Sequence, residues 1–278
     1  MRAACQTARS FSYLVTRGSS GSPGRTERVK ASPAVLGLGA ADGYPADAMA
    51  SSPLTVGLLV FPDLTQLDLT GPYEVFSRAP GMRVLLVGTR PGPIRSEWGL
   101  TLATDCTLED APPLDILCVP GGLGVNALLA DDSVLDAVAA QGERAAWVTS
   151  VCTGALVLGA AGLLRGYRAT THWLSMDLLA ELGATPVEAR VVRDRNRITG
   201  GGVTAGIDFA LSVVAELRGQ IAAERVALML EYDPAPPFPG GSPRSADKAA
   251  VEVVRSERAR VQEERRRLIG EALRRRRG

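Results

Sequence analysis

The sequence predicts an α/β sandwich with a largely parallel sheet, and three observations carry that expectation. Short, continuous apolar runs at residues 54–61, 82–87, 114–119 and 147–151 suit strands buried on both faces. Helical patterns alternate with these runs, as parallel crossovers require. Two of the runs, at 114–119 and 147–151, stop at sharp glycine-containing turns, Pro120-Gly121-Gly122 and Cys152-Thr153-Gly154.

The chain has 278 residues, 46% of them hydrophobic, with a formal net charge of +1. That is enough for one large domain with a proper core. The charge balance gives no reason to expect nucleic acid or an acidic membrane as a partner. Four cysteines at irregular spacing read as reduced thiols of a cytoplasmic protein rather than a disulfide frame. A single histidine, His172, and no CxxC pair argue against a metal site. No apolar run reaches the length of a membrane helix.

Residues 1–52 form a different kind of sequence, rich in Gly, Ser, Arg and Ala, with no acid before Glu27. Such a segment is expected to be a disordered N-terminal arm. Its acid-poor start also matches the composition of a mitochondrial transit peptide, a reading weaker than that of an unstructured extension. The ordered domain is expected over 53–243, followed by a charged C-terminal helix within 244–278.

Within the domain the first strand ends at Pro62, and a helix is expected to begin near Pro72, leaving Asp68 just past the strand end. A second strand follows at 82–87. The alternation over 93–107 reads as a small hairpin containing Cys106. Cys118 falls inside the strand at 114–119, where packing is its expected role. A helix over 131–142 takes Asp132 or Ser133 as its cap.

The strand at 147–151 passes at Cys152 into an Ala/Leu/Gly helix. A thiol at that joint projects from the carboxyl edge of a parallel sheet, where open α/β folds keep their sites. The helix N-terminus is expected to favour its thiolate. Gly154 permits close approach of backbone and substrate. A short strand at 168–171, a helix at 172–182, a strand pair turning at 194–196 and two apolar helices at 204–217 and 221–230 complete the body. Gly200, Gly201 and Gly202 lack the Lys and spacing of a phosphate loop and read as a tight turn. Residues 232–243 are loop. Residues 246–275 form a charged helix with a thin seam at Val254, Val261 and Leu268, supported by Glu263 with Arg267 and Glu271 with Arg275. The terminal run Arg274–Arg277 is expected to be a solvated helix end.

Asp68 and Cys152 thus fall on the same sheet edge, and a carboxyl beside a thiol makes a coupled pair of nucleophile and general acid. The backbone N–H groups of Thr153 and Gly122, with Gly121 beside them, are candidates for holding negative charge that develops on an adduct. The Thr153 hydroxyl is placed to orient substrate or water. His172 has two readings, a substrate contact and a structural hydrogen bonder.

Five motifs in this order, DLTGP at 68–72, PGG at 120–122, SVCTGA at 150–155, ATTHW at 169–173 and EYDPAPP at 231–237, resemble the ThiJ/PfpI superfamily, and within it the isonitrile hydratase branch. The resemblance runs from residue 54 into the C-terminal helix. It implies a flavodoxin-like three-layer sandwich of the class I glutamine amidotransferase type. It also implies a nucleophilic Cys152 with Asp68 as acidic partner, Asp233 within the binding region, a homodimer, and hydration of an isonitrile to an N-substituted formamide without metal or organic cofactor. Thr153 stands where protease-like members place His, and Asp68 where glyoxalase-like members usually place Glu. The tail after Pro243 is too short for the helix-turn-helix pair of the regulator members. A glyoxalase-like or other small-electrophile hydrolase, a cysteine redox sensor or chaperone, and a ligand-binding regulatory module remain competing expectations.

Overall fold

The computed structural model describes residues 53–276. The expectations for the N-terminal arm lie outside the described residues.

A seven-stranded sheet organises the domain, in the order β10-β11-β7-β6-β1-β2-β5. β1 (Leu54–Val60), β2 (Met82–Gly88), β6 (Ile116–Val119), β7 (Trp147–Val151) and β11 (Arg197–Gly200) run parallel. The edge strand β5 (Cys106–Thr107) is parallel to β2, and β10 (Val191–Asp194) closes the other edge antiparallel to β11. Parallel strands need crossovers, and most of those here lay a helix on the sheet, the β2-to-β5 connection being an exception. α1 (Gln66–Arg78), α6 (Ala205–Arg218) and α7 (Gln220–Met229) pack together as one layer. α2 (Val125–Ala130), α3 (Asp132–Arg144), α4 (Gly154–Ala160), α5 (Met176–Glu181) and the long α8 (Lys248–Arg275) form the other. The result is the three-layer sandwich that the apolar runs predict, with Leu58, Phe61, Phe76, Ile116, Leu117 and Phe209 fully buried between the layers.

Several elements differ from the sequence reading, each for a local reason. α1 starts at Gln66, so Pro72 lies inside the helix and Asp68 in its first turn rather than in the loop before it. The expected hairpin is shorter: β3 (Ile94–Arg95) pairs with β4 (Thr101–Leu102), and the chain then leaves to add β5 to the main sheet. Cys106 therefore sits on the sheet edge. The cap of α3 is Asp131, whose carboxylate accepts from the N–H groups of Ser133 and Val134. The segment expected as one helix from 172 is a 3₁₀ turn, Trp173–Ser175, capped by His172, followed by α5. Arg168–Ala169 (β8) pairs with Thr185–Pro186 (β9) in a separate small sheet.

The C-terminal helix departs most from the expectation. Its buried face is Arg265, Leu268, Ile269 and Ala272, whereas Val254 is exposed. The expected intrahelical pairs are replaced: Arg267 bridges Glu264 at 2.7 Å and Glu271 at 2.5 Å. The arginine-rich end is pinned to α3, with Arg275 on Asp132 at 2.7 Å and Arg276 on Asp136 at 2.6 Å. Arg266 reaches Asp177 and Glu181 of α5. Among the described residues no helix is long and apolar enough to cross a membrane.

Candidate active site

Four neighbouring strands, β1, β6, β7 and β11, end on one edge of the sheet, and the segments that follow them converge there. Cys152 follows β7 directly with φ +54, a left-handed conformation that costs a non-glycine residue about 1–2 kcal/mol. Its N–H donates to the carbonyls of Gly200 and Gly201, 3.1 and 2.8 Å away, which hold the strained turn against the end of β11. At Gly154 an added Cβ would lie 2.0 Å from the Val119 carbonyl oxygen, so only glycine lets the elbow pack this close to β6.

The Pro-Gly-Gly turn after β6 organises the partners of the thiol. Gly121 N–H donates to Asp68 Oδ2 at 3.0 Å, and Gly122 N–H donates to Thr153 Oγ1 at 3.1 Å. A Cβ on Gly121 would meet Thr153 N at 2.6 Å and Asp68 Oδ2 at 2.8 Å, which shows how tightly the three groups close around it. These bonds change the role expected of the glycines. Their N–H groups are committed to fixing Asp68 and Thr153 and are not aimed at a developing charge. The Thr153 N–H faces the Cys152 sulfur instead.

Asp68 is fully buried, and its Oδ1 has no hydrogen bond of its own; the thiol of Cys152 is its neighbour. Burial raises its pKa to about 7, against the lowering effect of the Gly121 N–H. Burial likewise pushes the Cys152 thiol well up, and the adjacent carboxyl pushes it further, while the Thr153 N–H and the Arg265 charge pull it down. The thiolate expected from the helix end is therefore overridden by desolvation, because the short α4, about two turns long, sets its dipole against nearly complete burial. At rest the proton sits on sulfur and Asp68 is the group poised to take it. Cys118, buried in β6 with its pKa raised to about 12, is an inert core thiol.

A pocket of about 170 Å³ opens over the thiol. Cys152, Thr153 and Gly122 form its floor, Thr65 and Glu97 one wall, His172, Leu174 and Val203 another, and Arg258, Val261, Gln262 and Arg265 of α8 its cover. His172 lines the pocket but is no partner of the thiol: its Nδ1 accepts from Leu174 N–H at 3.4 Å. Burial and the charges of Arg265 and Arg258 lower its pKa to about 4, so it is a neutral side chain. Asp233 is exposed and does not line the pocket. The neighbouring Tyr232 turns inward instead, donating its hydroxyl to Asp208 at 3.0 Å.

Sequence reasoning missed the residues of α8. Arg265 is 5% exposed, donating from Nη2 to the Gly122 carbonyl at 2.8 Å and from Nε to Asn126 at 3.0 Å. It thus clamps the same turn that fixes Asp68 and Thr153. Gln262 accepts from Ser175 Oγ at 2.8 Å. In the sequence a spacing of arginines at i and i+7 was the available signal, hidden among many other charges.

A strained elbow cysteine, a buried carboxyl and a parallel sandwich together define a cysteine-dependent α/β protein that acts on a small molecule. Comparison with known proteins fixes the family: residues 55–216 match the DJ-1/PfpI family, and the chain belongs to it. It is 55% identical over 206 residues to an isonitrile hydratase from Pseudomonas putida, an alignment covering 74% of this chain and 90% of that one. The crystal structure of a THiJ/PfpI family protein from Pseudomonas syringae superposes with a TM-score of 0.80 at 43% identity, covering 84% of this chain and 99% of that one. A Parkinson disease protein 7 homolog from Danio rerio is 32% identical over 175 residues, covering 60% and 92% of the two chains.

Proposed function

We propose that this protein is an isonitrile hydratase, adding water to an isonitrile to give an N-substituted formamide, with Cys152 as nucleophile and Asp68 as proton carrier. The observation that carries the reading is the buried Cys152–Asp68 pair sharing one proton near neutrality, in a chain more than half identical to an isonitrile hydratase over most of its length.

The terminal carbon of an isonitrile has a lone pair and needs both a proton and a nucleophile. As the sulfur attacks that carbon, Asp68 takes the thiol proton and returns it to the same carbon, leaving a neutral thioimidate, Cys–S–CH=N–R. Water then adds across the C=N bond, its oxygen to carbon and a proton to nitrogen. The C–S bond breaks, the sulfur regains a proton from the hydroxyl, and the formamide departs. Isonitrile plus water equals formamide, and nothing is oxidised or reduced. The Thr153 hydroxyl, whose oxygen accepts from Gly122, has its proton free to orient the water.

The first step develops no oxyanion, which suits a site whose glycine N–H groups are already bonded to Asp68 and Thr153. Attack on a carbonyl, as in a glyoxalase-like reaction, calls for such donors to be free. Burial of the thiol in its protonated form also disfavours the redox-sensor reading, since the thiolate is the form that oxidises.

The test is incubation of the purified protein and its Cys152→Ala variant with cyclohexyl isonitrile, following N-cyclohexylformamide by mass spectrometry. Formamide is expected from the native chain alone. Substantial formamide from the variant would overturn the covalent route, and none from the native chain would overturn the activity.

The folded unit is proposed to begin at residue 53, with the preceding arm dispensable for catalysis, and to act as a homodimer. Ile221, Leu228 and Met229 on α7, with Phe238 beyond it, are apolar and 58–81% exposed, which supports a covered surface there. Light scattering is expected to give twice the 29.2 kDa chain mass.

A further inference from the structure

Four residues of α8 face the pocket at helical spacing, Arg258, Val261, Gln262 and Arg265. The two arginines are seven residues apart, about 10 Å along the helix axis. The inner one, Arg265, spends Nε and Nη2 on Asn126 and Gly122, while Nη1 has no hydrogen bond among the described residues. The outer one, Arg258, is exposed at the pocket mouth and has neither a hydrogen bond nor an ion pair among the described residues. Most arginines further along the same helix are paired: Arg266 with Asp177 and Glu181, Arg267 with Glu264 and Glu271, Arg275 with Asp132, Arg276 with Asp136.

The two arginines lining the pocket are therefore unevenly paired. Glu97 is the acid of the lining outside the reacting pair, and it accepts from Thr65 Oγ1 at 2.9 Å. His172 is neutral. Arg265 lies within electrostatic reach of Glu97 and of the reacting pair, which carries one negative charge once Asp68 is ionised, whereas Arg258 at the mouth has no ion pair among the described residues. A simple hydrocarbon isonitrile makes no use of that charge.

We propose that the substrate is an isonitrile carrying a carboxylate, seated with its isonitrile carbon on Cys152 and its carboxylate against the Arg258 guanidinium at the mouth. The proposal rests on the isonitrile reading above and adds the substrate class. One unpaired guanidinium at the mouth suits a monoanion; a dianionic phosphate would leave negative charge uncompensated. The planar donor fork of arginine matches a carboxylate with two parallel hydrogen bonds. The cavity, about 170 Å³, holds a short chain between the two groups. In this arrangement Arg258 selects the substrate, and Arg265 holds the turn on which the reacting pair is built.

The experiment measures kcat/KM for 3-isocyanopropanoate and for its methyl ester, with the full-length protein and with Arg258→Gln, Arg258→Lys and Arg258→Glu. The native protein is expected to favour the carboxylate by about tenfold, the effect of one charge-assisted contact at a partly solvated site. Arg258→Gln is expected to bring the ratio close to one, Arg258→Lys to restore most of it, and Arg258→Glu to invert it. A native ratio of one or less, or a ratio unchanged in Arg258→Gln, overturns the proposal. Formamide from neither compound and none from cyclohexyl isonitrile overturns instead the isonitrile reading on which it rests. Circular dichroism of each variant confirms that the ratio is read on folded protein.

Discussion

Burial raises the Cys152 thiol and the Asp68 carboxyl together, and negative charge on either one pushes the other further. The pair therefore loses its protons in two well-separated steps, the first near 7 and the second far above it. Between those steps it holds one proton, which is the form able to move a hydron from sulfur to carbon. It follows that kcat/KM should climb close to tenfold per pH unit below about 7 and level off above, measured from pH 5 to 9 with an isonitrile. Asp68→Asn removes the carrier but keeps the size of the side chain, so the acid limb should disappear and the plateau fall by about 10²–10⁴-fold. An acid limb retained in that variant would assign the titration to another group. Cys152 and Asp68 were legible in the sequence because each lies close after an apolar strand run, and parallel strands put such positions on one edge. The role of Gly121 and Gly122 was not, because where an N–H points depends on the dihedrals of the turn, which composition leaves open. Asp233 was carried by a motif whose inward-turned member is Tyr232, bonded to Asp208.

The helix α8 joins two jobs that the sequence presents as one stretch of charge. Its terminal half docks through Leu268, Ile269 and Ala272 onto the layer built by α2 and α4, and that docking carries Arg265 to the Gly122 carbonyl. Burying a residue such as Ile269 contributes about 1.5–3 kcal/mol, more than the exposed ion pairs along the same helix. Ile269→Ala should therefore lower the unfolding free energy in urea by about 2–4 kcal/mol, while Val254→Ala on the exposed half changes it by less than about 0.5 kcal/mol. Equal effects at the two positions would mean that the helix is not held by its terminal half. The existence of this helix was legible from its unbroken helical composition and length. Of its buried face only Leu268 was legible, because Arg265 also lies on it, and in sequence an arginine reads as solvent-facing unless the carbonyl and amide that receive it are known. The same holds for α1, where the rule that proline favours the first helical turn moved the expected start away from Gln66 and left Asp68 in a loop.

At the scale of the whole molecule the alternation of apolar runs and helical patterns was sufficient to fix the layers, since a sheet covered on both faces admits few arrangements. What the layers enclose also sets how stability responds to acid, and here two pocket residues act in opposite directions. The Asp68 pKa is raised from 3.8 to about 7, so between those values the folded chain binds more protons than the unfolded chain at this site, and stability falls as pH rises. The His172 pKa is lowered from 6.5 to about 4, so over that interval the unfolded chain binds more protons, and stability rises with pH. Each is worth about 3–4.5 kcal/mol across its own window, and the His172 window lies within that of Asp68. The two contributions cancel to a large extent, and urea unfolding of the native chain should change little between pH 4.5 and 6.5. Separating them exposes the slopes: Asp68→Asn should gain stability as pH rises through this range, and His172→Gln should lose it. A flat profile in Asp68→Asn would show that His172 titrates normally in the fold, and a flat profile in His172→Gln that Asp68 does. A pocket that raises one carboxyl and lowers one imidazole thus tunes Asp68 to take a proton near neutrality without making the fold sensitive to mild acid.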